Sequence, residues 1–536
     1  VRTLGVLCLL PWASWALAAE ATDSGPVPEP TAERADADDA EPPIEPSDAR
    51  VEGETLRTPE EPDERVTELG GQWRWLLSRQ DPFPLNAAGE GSGLGWYLDQ
   101  RLRVGLSQEV DETLRFEGEL ELLNGQVVGD YDRLAAGLRR DERETLRGWD
   151  LKNAELRRFA ITWKAPWFEL RAGHMGSHFG LGLLAHDGRD DPTRFGAATG
   201  GDLSDRLILA TRPLAHLTPD SWAARLVLAV GGGVTYRDEN ADLRAGDVGG
   251  EALLSVFYRE EELFAGLYVA GRFQKDEDGD RLDVVALDLA ARWEPPAGES
   301  GPLVAAEAAL LVGRTSRIIQ AERLDGVDVL AGGGLVQVGW RFKTWRIEPV
   351  LEVGFASGDA NPHDGTVTQF SFDPNLRVGL VLFDALLRGM SAMAAAEAAD
   401  PQRVARPQPG VDQLATHGRV SNAIYFFPTL RLRPWERISL RLGVLGAWSA
   451  VEFGQSFQTF NHGGVPTNAY GKTRPGRELG WELDAGLSVE QPVWDRLRIL
   501  ASLEVGWFMP GSAFERPDGS RPGDMVRLLA TFGLAY

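Results

Sequence analysis

Between residues 71 and 536 the chain alternates apolar and polar positions with a period of two, and the alternation keeps one sense from segment to segment. In the run 114–122, Leu114, Phe116, Leu120 and Leu122 share one face, and Arg115, Glu117, Glu119 and Glu121 share the other. Trp96, Leu98, Leu102, Val104 and Leu106 oppose Asp99, Arg101 and Arg103 in the same way. So do Trp345, Ile347, Pro349, Leu351, Val353 and Phe355 against Arg346, Glu348 and Glu352. Trp481, Leu483, Ala485, Leu487 and Val489 oppose Glu482, Asp484 and Glu490, and Leu497, Ile499, Ala501, Leu503, Val505 and Trp507 oppose Arg498, Ser502 and Glu504. Each such segment predicts a strand with one face made for an apolar surrounding.

A soluble sandwich alternates too, so three further features decide the class. The segments often run 11 to 15 residues, whereas soluble strands run about 5–6 and tilted membrane-spanning strands need about 9–11. Aromatic residues collect at segment ends (Trp96 and Tyr97, Trp163 and Trp167, Trp293, Trp340 and Phe342, Trp448, Trp507 and Phe508), the level of lipid headgroups. The polar face carries Arg beside Glu or Asp on strand after strand, more ions than a dry core accepts, which fits a water-filled lumen. The last segment, Met525–Tyr536, is apolar at every even position and ends on an aromatic ring. It resembles the closing strand that outer-membrane assembly machinery recognises, and a lipid-exposed sheet needs it to close on the first strand.

These patterns predict an all-β, antiparallel transmembrane β-barrel. Nineteen candidate segments run from 72–79 to 524–536, and bacterial single-chain barrels have even strand numbers, so we expect 18 strands within a range of 16–20. Long connections (125–150, 176–203, 236–247, 315–330, 358–372, 451–477 and 509–523) alternate with short ones, long outside and short in the periplasm, but the phase breaks across 384–417. The alanine-rich stretch 384–399, stopped by Pro401, predicts a short helix in an outer loop or folded into the pore.

Composition sharpens the picture. Of 536 residues, 80 are acidic and 55 basic, 50 of them Arg, for a net charge of −25; this balance argues against nucleic acid as a partner. No window has the 18 or more consecutive apolar residues of a spanning helix. Residues 1–19, with Arg2, an apolar run and Ala16-Leu17-Ala18-Ala19, read as a signal peptide. The single Cys8 lies inside it, so the exported chain carries no disulfide. Residues 20–70 hold 17 acids against four Arg and read as a disordered, acidic, Pro-rich periplasmic linker; residues 71–536 form the barrel.

Several clusters are candidates for chemistry. The run 171–188 contains His174, Ser177, His178, His186 and Asp187 among glycines: either a Gly-rich constriction, or a hydrolase site at the rim with Ser177 as nucleophile and a histidine as base. The acidic runs 276–280 and 357–365 offer oxygen ligands for Ca2+, or simple turns; no other cofactor is expected. Pore-lining candidates are Arg101, Arg103, Arg115, Glu117, Glu119, Arg171, Arg341, Arg346, Glu348, Arg377, Arg431, Arg433, Arg441, Glu482, Asp484 and Arg498, joined by Glu121, Glu169, Arg272, Glu352 and Glu504.

The segments 171–184, 201–207 and 372–383 resemble an uncharacterised family of myxobacterial-type outer-membrane barrels, and more distantly the alginate-export porins. That resemblance implies an 18-stranded barrel with an electropositive conduit for an anionic polysaccharide. The inward charges here are of both signs instead. The sequence therefore points to an outer-membrane channel, set among lipid and lipopolysaccharide, for passive diffusion or export of small or polymeric hydrophilic solutes, anionic ones among them. The alternative is a closed barrel serving as a surface or adhesion scaffold, its lumen filled by 384–417.

Overall fold

The computed structural model describes residues 67–130, 134, 154–198, 200–215, 217–277, 279–318, 325–361, 364–404, 414–494 and 496–536. The signal peptide and the linker up to residue 66 lie outside the described residues. Residues 67–70, assigned to the linker by composition, already belong to the first strand.

The strands are β1 (Thr67–Gln80), β2 (Trp96–Asp111), β3 (Leu114–Gly129), β4 (Glu155–Lys164), β5 (Glu169–Gly176), β6 (Leu203–Thr211), β7 (Leu226–Arg237), β8 (Val248–Arg259), β9 (Leu263–Lys275) and β10 (Arg281–Trp293). They continue with β11 (Gly301–Thr315), β12 (Val327–Arg341), β13 (Ile347–Ala356), β14 (Thr366–Val367), β15 (Ala423–Trp435), β16 (Ile438–Ser449), β17 (Glu478–Pro492), β18 (Arg498–Pro510) and β19 (Met525–Ala535). The two-residue β14 lies parallel to the end of β12 and takes no place in the wall. The other eighteen pair antiparallel, each with its successor, and β19 returns to β1 with Gln72 opposite Ala535 and Gln80 opposite Arg527. Gly71 and Tyr536 exchange both backbone hydrogen bonds at the seam, at 3.0 and 2.8 Å, and Trp75 stacks on Phe532 across it. Closure leaves no ladder edge to be desolvated in lipid.

The predicted alternation is the wall's inside-outside code. On β17, Trp481, Leu483 and Leu487 are exposed outward while Glu482 and Asp484 are buried inward; β3 repeats it with Phe116 and Leu120 against Glu117 and Glu121. Exposed Trp163, Trp167, Trp222, Trp340, Trp345, Trp435 and Trp494 gather at the end with the short turns, and Trp96, Trp481 and Trp507 stand toward the other. This apolar cylinder with aromatic ends makes the chain an outer-membrane barrel. Phe508 is an exception to the expected girdle: it points inward and is fully buried.

The segment 373–383 is the one candidate strand that is not a strand. It lies within the connection 357–422 between β13 and β15, which pair directly. Its run Leu380-Val381-Leu382-Phe383 is buried on all sides, a lumen position where no face meets lipid or water. Removing it brings nineteen candidates to eighteen and restores the alternation of long and short connections. A π-helical turn (Leu382–Leu387) and the expected helix (Arg388–Ala399) follow it, also largely buried.

Two connections fill much of the interior. Residues 370–393 pack with Phe83, Leu85, Leu183 and Phe195 and with inward residues of β15–β19 (Tyr425, Phe427, Leu445, Leu479, Phe508, Leu529) into one apolar core. A smaller cluster joins Phe179 to Phe264 and Ala290. The barrel thus has a dry interior along part of its wall and a charged one elsewhere.

Candidate functional site

The connection 177–202 between β5 and β6 crosses the lumen and is fastened to strands all around it. Leu181 and Leu183 donate backbone N–H bonds to Glu307 of β11, the latter at 3.0 Å. Arg194 forks onto Glu352 of β13 at 2.9 Å, and the Tyr425 hydroxyl donates to the same carboxylate. Arg441 of β16 donates to the Pro192 carbonyl at 3.1 Å, lies over the Phe195 ring and pairs with Glu504 of β18, whose other oxygen accepts from Gly196 N at 2.8 Å. On the opposite wall Asp190 pairs with Arg74 of β1 at 2.6 Å and Arg101 of β2 at 3.0 Å, Arg103 donates to the Gly188 carbonyl, and Arg157 of β4 donates to the Asp187 carbonyl at 2.8 Å. Wall charges are therefore spent holding a crosspiece. Carbonyls and N–H groups that form no strand ladder find partners in this way.

The connection 357–422 is held alike. Glu482 accepts N–H bonds from Leu380, Val381 and Leu382, and Asp384 pairs with Arg377 of its own segment and Arg527 of β19. Gly180 and Gly379 sit at φ +60° and +71°; a Cβ at either would run into the Glu307 or the Glu482 carboxylate, so glycine lets each segment approach its clamp.

Toward the short-turn end lies a charged chamber. Glu117 is ringed by Arg171 at 2.8 Å, Arg158 at 3.2 Å and Arg115 at 3.6 Å. A bulge between β3 and β4 turns the consecutive Arg157 and Arg158 both inward, an arrangement that strict alternation forbids. Arg103, Glu117, Glu119, Arg158 and Ser107 line a recess of 510 Å3 there. Glu348 joins Arg341 at 3.0 Å to Arg431 at 2.5 Å on the facing wall.

The structure thus distributes the predicted lining residues over the crosspiece, the second connection, the chamber, the short-turn rim and the far side of β9. Arg101, Arg103, Arg441, Glu352 and Glu504 hold the crosspiece; Arg377 and Glu482 hold the second connection, and Asp484 is buried beside Glu482 on β17. Arg115, Glu117, Glu119, Arg171, Arg341, Glu348 and Arg431 face the chamber. Arg346 stands in the β12–β13 turn, paired with Glu436, and its carbonyl accepts from Arg433 N; Arg498 pairs with Glu490 at the same rim. Arg272 pairs with Asp238 above β9. Sequence reasoning missed Glu307, although it is the only charged residue between Gly301 and Gly313, a lone acid that signals a special partner.

Ser177 Oγ has no hydrogen-bond partner, and His186 Nδ1 accepts from Gly188 N at 3.0 Å, so no serine–histidine hydrogen bond is formed. Burial, reinforced by the neighbouring His178, pushes His186 down to about 4. Burial pushes Asp190 up, but Arg74, Arg101 and Arg103 outweigh it and hold the carboxyl below the usual range. His178, His186 and Asp187 bring ligand-type atoms within 4.8 Å of one another, yet Asp187 is already engaged by Arg189 at 3.2 Å. The acidic run 276–280 closes a turn through Asp276 N and the Asp280 carbonyl, and Asp359 and Asp364 cap backbone N–H groups.

No family model matches the sequence, and no curated protein matches it. Among solved structures, OccAB1 of Acinetobacter baumannii is similar at 8% identity and a TM-score of 0.47, over 88% of this chain and 96% of that one. OpdK of Pseudomonas aeruginosa, solved with vanillate, is similar at 13% identity and a TM-score of 0.46, over 88% and 99%. OprD of the same organism is similar at 11% and 0.42, over 88% and 95%. At these values the likenesses assign no role to any residue of this barrel.

Proposed function

We propose that this barrel is an outer-membrane channel for small hydrophilic anions, narrowed by the crosspiece 177–202 and the packed connection 357–422. The observation that carries the reading is the chamber at the short-turn end. Three guanidiniums converge on the Glu117 carboxylate, two positive charges more than that group carries, while Glu68 and Glu119 join Glu117, Arg103 and Arg158 around the adjoining recess of 510 Å3. Charged rings in a wet lumen set the sign of the ions that pass. The same sign suits an anionic polymer, the cargo implied by the resemblance to alginate-export porins; for that cargo the crosspiece has to move as a unit.

The apolar core inside the wall favours a second reading, a closed barrel that displays its long connections. Planar-bilayer recording of the intact protein and of a variant lacking 384–417 separates the two. A channel shows small unitary currents with anion preference in the intact protein and larger ones in the variant. Currents in the variant alone favour the closed barrel, and silence in both ends the channel reading.

A further inference from the structure

Three carboxylates meet from three separate connections: Asp202 at the end of the crosspiece just before β6, Glu239 just after β7, and Asp373 in the segment 357–422. One oxygen of each lies within 4.8 Å of the others. None of the three makes an ion pair among the described residues, and the neighbouring acid, Asp238, is committed to Arg272 and to the backbone N–H groups of Asn240 and Ala241. Asp373 is 3% exposed; its Oδ1 accepts from Asn375 N at 2.7 Å, and its Oδ2 is buried with no hydrogen-bond partner among the described residues. The nearest cationic neighbour, Arg419, turns its guanidinium to the Ala415 and Thr416 carbonyls.

We propose that Asp202, Glu239 and Asp373 form a Ca2+ site that fastens three connections of the barrel to one another. Converging like charges in a partly buried place require either shared protons or a cation, and three carboxylates against one arginine leave an excess of two negative charges, which a divalent ion neutralises. The donors are oxygens only, which suits a hard ion, and connections of irregular backbone suit the flexible coordination of Ca2+ better than the strict octahedron of Mg2+. Asp202 and Glu239 are half-buried rather than sealed, so the cluster is not closed off as Asp373 alone would be. The site does not depend on whether the barrel conducts.

The test is calorimetric titration of CaCl2 into the full chain in detergent micelles after chelator treatment, in parallel with limited proteolysis of 357–422. Saturable binding at one site is expected, with a dissociation constant of about 10⁻³ M or tighter, and Ca2+ should slow the proteolysis. Asp373→Asn should weaken binding by about tenfold or more; Glu239→Gln, isosteric and at a less buried position, should do the same with strand content by circular dichroism unchanged. Asp280→Asn, in a turn elsewhere, should leave it unchanged. Absence of binding in the intact chain, or binding that both site variants leave intact, overturns the proposal. So does stabilisation of the connections by Asp373→Asn without Ca2+, which marks a shared proton instead.

Discussion

The Glu482 carboxylate of β17 accepts the Leu382 N–H at 2.8 Å, with the Val381 N–H at 2.7 Å on its other oxygen, so one wall residue closes the start of a helical turn inside the lumen. Negative charge at a helix start is favourable, and three backbone donors without another acceptor depend on it. Glu482→Ala orphans the N–H groups of Leu380, Val381 and Leu382. At about 1–3 kcal/mol for each buried donor left unsatisfied, the loss is several kcal/mol and falls on the connection rather than on the wall. Proteolysis within 370–404 should accelerate and unitary conductance should rise, while strand content by circular dichroism stays the same. Loss of the strand signal would show that Glu482 supports the wall itself.

Arg158 reaches the lumen only because of the β4 bulge, and it supplies one of three guanidiniums around Glu117. Arg158→Glu removes one of the three guanidiniums around Glu117 and adds a carboxylate beside Glu117 and Glu119, a change of two charges toward negative. The zero-current potential in a KCl gradient should move toward cation selectivity, and the effect should weaken in high salt as screening shortens. Arg498→Glu, at the exposed rim, should move it far less. Equal shifts from both variants would place the selecting charge elsewhere.

Legibility in the sequence followed what lipid demands. Leu483 or Val353 must be apolar because nothing on the outer face shields it, so alternation revealed the wall, its orientation and the closing strand. The lumen obeys no such rule. Leu376, Val378, Leu380 and Leu382 alternate as a strand would, yet Val381 and Phe383 are apolar as well, and Gly379 has a left-handed φ. Four consecutive apolar residues were the sign of a segment with no wet face. Likewise, charge on the inner face showed where Arg441 and Glu504 point but not whether they meet water or a crosspiece, because Pro192, Arg194 and Gly196 approach them across more than two hundred residues of chain.

Acid should loosen the interior in two stages. His186 is buried and held at about 4 against about 6.5 in the unfolded chain, so the unfolded state binds more protons between those values and stability falls as pH drops through that window. The full difference is on the order of 3 kcal/mol. Asp190 and Asp384, both held below the ordinary carboxylate value by arginines that outweigh burial, contribute stability above about 3.9 that is lost on further acidification. Denaturant melts at pH 7, 5 and 3 should show both losses. In His186→Gln the decline between pH 7 and 5 should shrink while the later one persists; an unchanged first decline assigns it to another group.

Asp384 stands between Arg377 and Arg527, and Arg527 also donates to the Leu380 carbonyl at 2.8 Å. This joins the last strand to the lumen connection through one buried carboxylate. Asp384→Asn leaves two guanidiniums facing a neutral amide in a buried place, where breaking one side of an ion pair costs about 3–5 kcal/mol. The cost belongs to the orphaned charges rather than to the lost attraction. Replacing Arg527 by Met in the same chain should therefore recover a large part of it, since one cation fewer is buried and a flexible apolar side chain fills the volume. The measurement is a double-mutant cycle on denaturant unfolding, with the single variants destabilised and the pair closer to the original than the sum of the two. Additive losses would mean that Arg527 and Asp384 are not energetically linked, and that the connection is held at this end by the Glu482 clamp and the packing of Phe383 and Leu529.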